Sequence, residues 1–325
     1  MKKNIIFLMV LLFAIPSYSQ TIIDAGIMVK LSKATHVAFQ SDLIVEGQLR
    51  CDTSTIVSIG APDKNSKIIS DNSLKFSSLK VENGTNYVDA DTLLVDGDII
   101  FNKGKLYLPK ATALKGSILN ENETGYIVDG VIRKDLKNLP AGQKTTTGLG
   151  ISITPNRNYE AVTIVRAHEK QNNRGEWSIA KYYDFPATIE VSAVDFSYLN
   201  AQSDKKTDTY LLYYKSSYDV LWQSIDSQTS HETKRVISKQ NSPVTIQDIT
   251  LFPFPELNYS PYITPNDDGF NDAFEIIGIE KCPNSKLIVL TPTGTTIYTG
   301  ESYNNDFDGK NIRPACRRIL LYFLL

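Results

Sequence analysis

Leu43-Ile-Val-Glu-Gly-Gln-Leu49 and Leu93-Leu-Val-Asp-Gly-Asp-Ile99 carry one pattern: an apolar residue, a second two positions on, a glycine, then another apolar residue. Period-two alternation sends one set of side chains to a core, and glycine or asparagine between runs permits tight turns. Thr55-Ile-Val-Ser-Ile59, Leu74-Lys-Phe76, Leu79-Lys-Val81 and Lys105-Leu-Tyr-Leu108 are runs of the same kind. Each is too short to bury a core alone, so stacking in successive rungs is the economical solution. The spacing predicts a β-solenoid-like domain over 20–137, with a Greek-key sandwich as the competing arrangement because the repeat is irregular.

Composition agrees with an all-β chain. Seventeen Tyr and thirteen Phe, with abundant Val, Ile and Thr, favour strands over helices. Met1-Lys2-Lys3 is a short basic start, residues 5–15 are almost unbroken apolar, and Ser17-Tyr18-Ser19 supplies small residues at a cleavage site. A signal peptide over 1–19 is expected. The apolar run is too short for a bilayer span of roughly twenty residues, and no later segment suits one. Losing Lys2 and Lys3 takes the formal net charge from -2 to -4, which argues against nucleic acid or an anionic membrane surface as a partner. The three cysteines, Cys51, Cys282 and Cys316, have no zinc-site spacing.

The Gly-, Pro- and Thr-rich segment 138–150 reads as a loop at a domain boundary. Beyond it, Gly150-Ile-Ser-Ile-Thr154, Ala161-Val-Thr-Ile-Val-Arg166, Ser178-Ile-Ala-Lys-Tyr-Tyr183, Thr188-Ile-Glu-Val-Ser192, Tyr210-Leu-Leu-Tyr-Tyr214 and Leu221-Trp-Gln-Ser224 predict an antiparallel β-sandwich over 138–241. Pro243, Pro253, Pro255 and Pro261 predict a semi-extended linker over 242–259. A small module over 260–325 completes the chain.

That module contains Thr264-Pro265-Asn266, Asp268-Gly269 and Asn271-Asp272, followed by Asn305-Asp306-Phe307-Asp308-Gly309. In this order the motifs resemble the gliding motility-associated C-terminal domain of Bacteroidetes, a type B sorting domain of type IX secretion. The resemblance implies a small β-sandwich that serves as an export address, with the type IX machinery as partner. Leu79 to Ile132 looks like the rung-rich regions of Bacteroidetes surface proteins, which supports the solenoid reading. Asp91-Thr92-Leu93 resembles the short site at which Bacteroidetes attach O-glycans to exported proteins. After Lys310 the chain departs from the sorting-domain pattern: residues 311–325 do not alternate as a half-exposed strand should. A frameshift or truncation near residue 311 would account for this, and the module is then expected to lack closing strands.

Candidate chemistry is sparse. His36, His168 and His231 are isolated, and no nucleophile elbow, phosphate loop or zinc helix occurs. Glu160, Glu169, Glu176, Asp184 and Glu190 fall within the predicted sandwich, where alternate strand positions can bring a glycosidase pair to one face. They read more simply as solvated carboxylates. Counted from Thr264 as position 1, Asn266, Asp268, Asp272 and Glu275 fall at positions 3, 5, 9 and 12 of a calcium loop. Position 1 is not a carboxylate, so Asn and Asp capping tight turns is the preferred reading. Calcium is the one cofactor these residues suggest. The expected function is a secreted or surface, non-enzymatic protein in display, adhesion or scaffolding. The alternative is a carbohydrate-active enzyme or polysaccharide-binding module in which Trp177, Tyr182, Tyr183 and Trp222 stack on sugar.

Overall fold

The structure, a computed structural model, describes residues 20–310 and 320–324 except 63, 174, 204–208, 218, 239–241, 255, 256, 260–262, 265–270, 280, 281, 283, 284 and 292. The chain divides into two compact units, 1–253 and 254–325. Among the described residues there are strands, turns and a short 3-10 turn, Asn200–Gln202, but no α-helix.

The first unit begins as a parallel β-solenoid of about six turns. One face stacks Thr21–Ile23, Leu43–Val45, Asn65–Ser70, Thr85–Ala90, Gly104–Tyr107 and Gly125–Asp129 in chain order, all parallel. Their starts advance by 19 to 22 residues per coil. A second face holds Met28–Leu31 on Gln48–Cys51, then Leu74–Phe76, Leu93–Val95 and Thr112–Leu114. The third stacks His36–Phe39, Ile56–Ile59, Ser78–Val81, Ile99–Phe101 and Ile118–Leu119.

Parallel register turns the period-two pattern into interior columns. Val57, Leu79 and Ile99 are aligned coil to coil, as are Ile59, Val81 and Phe101, and all six are buried. Each such side chain contributes about 1.5–3 kcal/mol by leaving water. The motif glycines are required by close approach of the coils. A Cβ on Gly97 would lie 2.5 Å from Ser77 O, and one on Gly47 would overlap Ile27 O. A Greek key is excluded for this region, because its neighbours are parallel and successive in chain order.

Solenoid and sandwich meet within a single strand. Val131–Leu139 pairs in parallel with Thr112–Leu114 and antiparallel with Tyr159–Ala167. One sheet therefore runs from the coils into the antiparallel region. The 16-residue strand Tyr182–Ser197 then serves two groups of neighbours. Its first part pairs with Tyr159–Ala167 and Val244–Pro253, and its last part with Ile151–Pro155 and Arg235–Ser238. The ladder with Val244–Pro253 is interrupted between Asp184 and Ile189, where Pro186 is exposed. A proline is tolerated at such a bulge because no ladder donor is needed there. Bends of this kind let one strand change sheets in a sandwich. Ile153, Ile164, Tyr183, Val194, Phe196 and Leu251 share one core with the coil interior.

Two expectations need correction. The linker predicted over 242–259 is largely a ten-residue strand, Val244–Pro253, paired on both sides and buried at residues 249–253. Pro243 precedes it and Pro253 ends it, so neither removes a bond from its middle. The boundary loop predicted over 138–150 is partly interior: Leu139, Thr147 and Leu149 are buried, and Thr147 Oγ1 donates to Ile151 O at 2.7 Å.

Candidate functional site

The second unit, 254–325, carries the sequence motifs. Asn258–Tyr259 pairs with Ile276–Ile277, and Lys286–Leu290 pairs antiparallel with both Thr296–Glu301 and Leu320–Leu324. Within the terminal run that does not alternate, Leu320–Leu324 pairs along the whole of Lys286–Leu290. Strand pairing is a backbone property, and an unbroken apolar run satisfies it as well as an alternating one does. Phe274, Ile276, Ile279, Leu287, Val289, Tyr303 and Phe307 form the unit's own core.

Within this core the closing motif is laced onto the segment that follows the first motif. Asn305 holds a left-handed backbone at φ 67°, and its Oδ1 accepts the Ile276 N–H at 2.8 Å. Phe274 N donates to Phe307 O at 2.8 Å, and Tyr303 Oη donates to Phe274 O at 2.6 Å. Tyr298 Oη donates to Asp306 Oδ1 at 2.6 Å, while its ring lies 4.7 Å from that of Phe307. Burial, then the bond to Asp306, pushes the Tyr298 phenol up. Asp308 Oδ1 accepts the Lys310 N–H at 3.0 Å, beside Gly309 at φ 68°. Thr264 N donates to Asn271 O at 2.7 Å, and Asn271 has a left-handed backbone at φ 52°. Of these side chains, Asn305 and Asp308 each accept a backbone N–H, whereas Asp306 accepts the Tyr298 phenol.

Pro265, Asn266, Asp268 and Gly269 lie outside the described residues, as does Cys316. Of the calcium candidates, Asp272 is half-buried and Glu275 exposed. Among the described residues no three His, Cys, Asp or Glu groups converge in a metal-holding arrangement.

The sugar-stacking candidates scatter. Tyr183 is a core residue whose Oη donates to Leu149 O at 2.6 Å. Trp222 is buried against Phe252, with Lys215 Nζ 5.0 Å from its ring centre. Tyr182 is half-buried, and its phenol is pushed up to about 12 by burial and then by Glu169. Trp177 stands 56% exposed on the hairpin that pairs Asn172–Asn173 with Glu176–Trp177. Among the carboxylates, Glu190 accepts from Asn156 Nδ2 at 2.9 Å.

A polar joint at the end of the solenoid was not anticipated. Arg166 is fully buried and grips Glu121 with two bonds of 2.8 Å; it also donates to Leu149 O at 3.0 Å and to His168 Nε2 at 3.0 Å. His168 Nδ1 lies 2.9 Å from Gly130 O, so the neutral ring donates from Nδ1 and accepts at Nε2. Two residues on, Glu123 accepts the Asn200 and Ala201 N–H groups at 2.9 and 2.8 Å. One loop of the last coil thus hooks the sandwich twice. Burial pushes the Glu121 carboxyl up, but the Arg166 charge and bonds outweigh it and hold the group at about 2. Burial, and then Arg166, hold His168 at about 3 and bring Lys181 down to about 7. The signal for Arg166 was in the alternation: Val162, Ile164 and Arg166 occupy the same inward-facing set, and all three are buried.

Among the described residues no helix is long and apolar enough to cross a membrane. No curated protein and no solved structure matches the chain. The second unit does have a match: residues 257–323 fit the family model of the CHU_C type IX secretion signal domain, the same kind of sorting module that the two acidic motifs resemble.

Proposed function

We propose that this is a non-enzymatic protein, carried by type IX secretion to the cell surface or the medium, where it acts in display, adhesion or scaffolding. The export half of this reading rests on the sorting domain at 257–323. Passage through the periplasm after removal of residues 1–19 is the route that the basic and apolar N-terminus suggests. The observation that supports a scaffold role is the joint between solenoid and sandwich. A continuous sheet through Val131–Leu139, reinforced by Glu121 and Glu123, makes a stiff body suited to presenting a surface. The test is fractionation of cells making the full chain or a chain lacking 260–325. Surface or medium localisation lost on truncation supports the proposal; identical periplasmic retention of both removes it.

A second reading, polysaccharide binding, is favoured by Trp177, a large ring left 56% exposed on its hairpin. Glycan-array binding that Trp177→Ala abolishes without changing the melting temperature would establish it. Hydrolysis of any glycan would overturn the non-enzymatic reading.

A further inference from the structure

Asp184 and Asp248 are direct partners across the antiparallel ladder, in the last pair before the interruption in Tyr182–Ser197. Side chains of such partners start about 4.5–5.5 Å apart, close enough for carboxyl groups to meet. Both residues are half-buried. Among the described residues neither has a hydrogen-bond donor or an ion pair.

The flanking groups neutralise them only in part. Asp184 is flanked on its other side by Val165, and Asp248 by Lys215. Lys215 Nζ lies over the Trp222 ring at 5.0 Å, and its charge favours the ionised form of Asp248 but is outweighed by burial and by Asp184. Glu169, after the strand Tyr159–Ala167, adds a further negative charge close to Tyr182. Tyr182 itself is neutral at physiological pH. Arg166, next in sequence to Val165, belongs to the opposite, buried face with Tyr183. Two facing carboxylates with no ion-paired cation cannot both ionise without repulsion in a half-dry site.

We propose that Asp184 and Asp248 share one proton, and that this carboxyl–carboxylate hydrogen bond is a pH-operated seam between Tyr182–Ser197 and Val244–Pro253. One oxygen donates O–H to the other group, and as pH rises the proton leaves to solvent, placing two negative charges face to face at the bend. Burial, and then the charge of Asp184, push Asp248 up to about 6, and burial also raises Asp184. A carboxyl raised in the folded state contributes stability at acid pH and loses it as pH climbs through that value. The seam is closed below about pH 6 and loosened above. The hairpin bearing Trp177 lies against the same strand, Val244–Pro253.

Hydrogen exchange of the full chain, followed in peptides covering 182–190 and 244–250 and corrected for intrinsic rates, tests this. Protection is expected to fall roughly 3- to 30-fold between pH 5 and pH 7.5 in the wild type. Asp248→Asn and Asp184→Asn should each hold protection at its acid level at both pH values, and the double variant should gain no more. Carboxyl carbon NMR of the unaltered protein reads the same proton directly, without reliance on a variant. Equal wild-type protection at both pH values would overturn the proposal, as would equal loss at both in Asp248→Asn. Recovery of protection at pH 7.5 by millimolar calcium in the wild type alone would also overturn it, since a metal and not a proton would then bridge the pair.

Discussion

Replacing Glu121 by Gln removes the charge that compensates a fully buried guanidinium while nearly preserving shape. Arg166 has no exposed surface and directs two of its hydrogen bonds, both 2.8 Å, at the Glu121 carboxylate. Breaking a buried pair from one side costs about 3–5 kcal/mol, because the other charge stays buried and uncompensated. Counting bonds gives a similar figure, since two charge-assisted bonds at about 1.5–3 kcal/mol each amount to roughly 3–6 kcal/mol. In a unit of this size one kcal/mol moves the melting temperature by about 2–4 °C, so a drop on the order of 10 °C is expected.

The assay is thermal and urea unfolding of the full chain, wild type against Glu121→Gln, from pH 7 down to pH 2. The folded-state carboxyl is held at about 2, below its ordinary 4.5. Its contribution is therefore complete above pH 4.5 and is lost as pH falls toward 2, so the gap between the two proteins should narrow over that interval. His168, held at about 3, adds its own loss below its ordinary 6.5 in both proteins. The double variant Glu121→Leu with Arg166→Met should recover most of the loss, because an apolar pair needs no compensation. A Glu121→Gln protein within 1 kcal/mol of wild type at pH 7, or a gap that does not change down to pH 2, would refute the reasoning.

Gly97→Ala should destabilise the solenoid by about 1–3 kcal/mol, because its Cβ would press on Ser77 O and Ser78 Oγ; urea midpoints measure this. Lys181→Met should stabilise most at or below pH 7, by a few kcal/mol. The lysine is held at about 7 against an ordinary 10.5, so the gain should shrink as pH rises between those values; melting from pH 6 to 10 reads it. Asn305→Ala should cost the sorting module about 1–2 kcal/mol by stranding the Ile276 N–H, and it should lower the exported fraction in cells. Calorimetry with millimolar calcium is expected to show no binding attributable to Asn266, Asp268, Asp272 and Glu275, and chelation to leave melting unchanged.

The solenoid was legible because its interior repeats. Each coil places Leu, Ile, Val or Phe at alternate positions, and glycines such as Gly47 and Gly97 mark the corner where neighbouring coils approach most closely. Strand direction was not legible, since alternation looks the same in parallel and antiparallel sheets. Val244–Pro253 was obscured by prolines whose effect depends on position within the strand. The final strand was obscured by an apolar run without alternation. Arg166 and Lys181 were not singled out, because charges are seldom fully buried. Period-two counting from Val162 would nonetheless have placed Arg166 inside. Glu121 gives no such signal, because its role depends on where the last coil delivers a loop.

The polar joint also bears on how a parallel stack and an antiparallel sheet can share one strand. Apolar columns fix the faces of Val131–Leu139 but not its position along its neighbours, since a shift of two residues restores the same in-out pattern. Arg166 removes that freedom: its two bonds to Glu121, with those to Leu149 O and His168, can form together in only one alignment of Tyr159–Ala167 against the last coil. An apolar pair at these positions would be comparably stable but would tolerate the slip. The Glu121→Leu and Arg166→Met double variant therefore separates stability from register. If the ion pair serves register, that protein should melt near the wild type yet show altered exchange protection along Val131–Leu139, and an unchanged pattern would leave the pair with a purely energetic role.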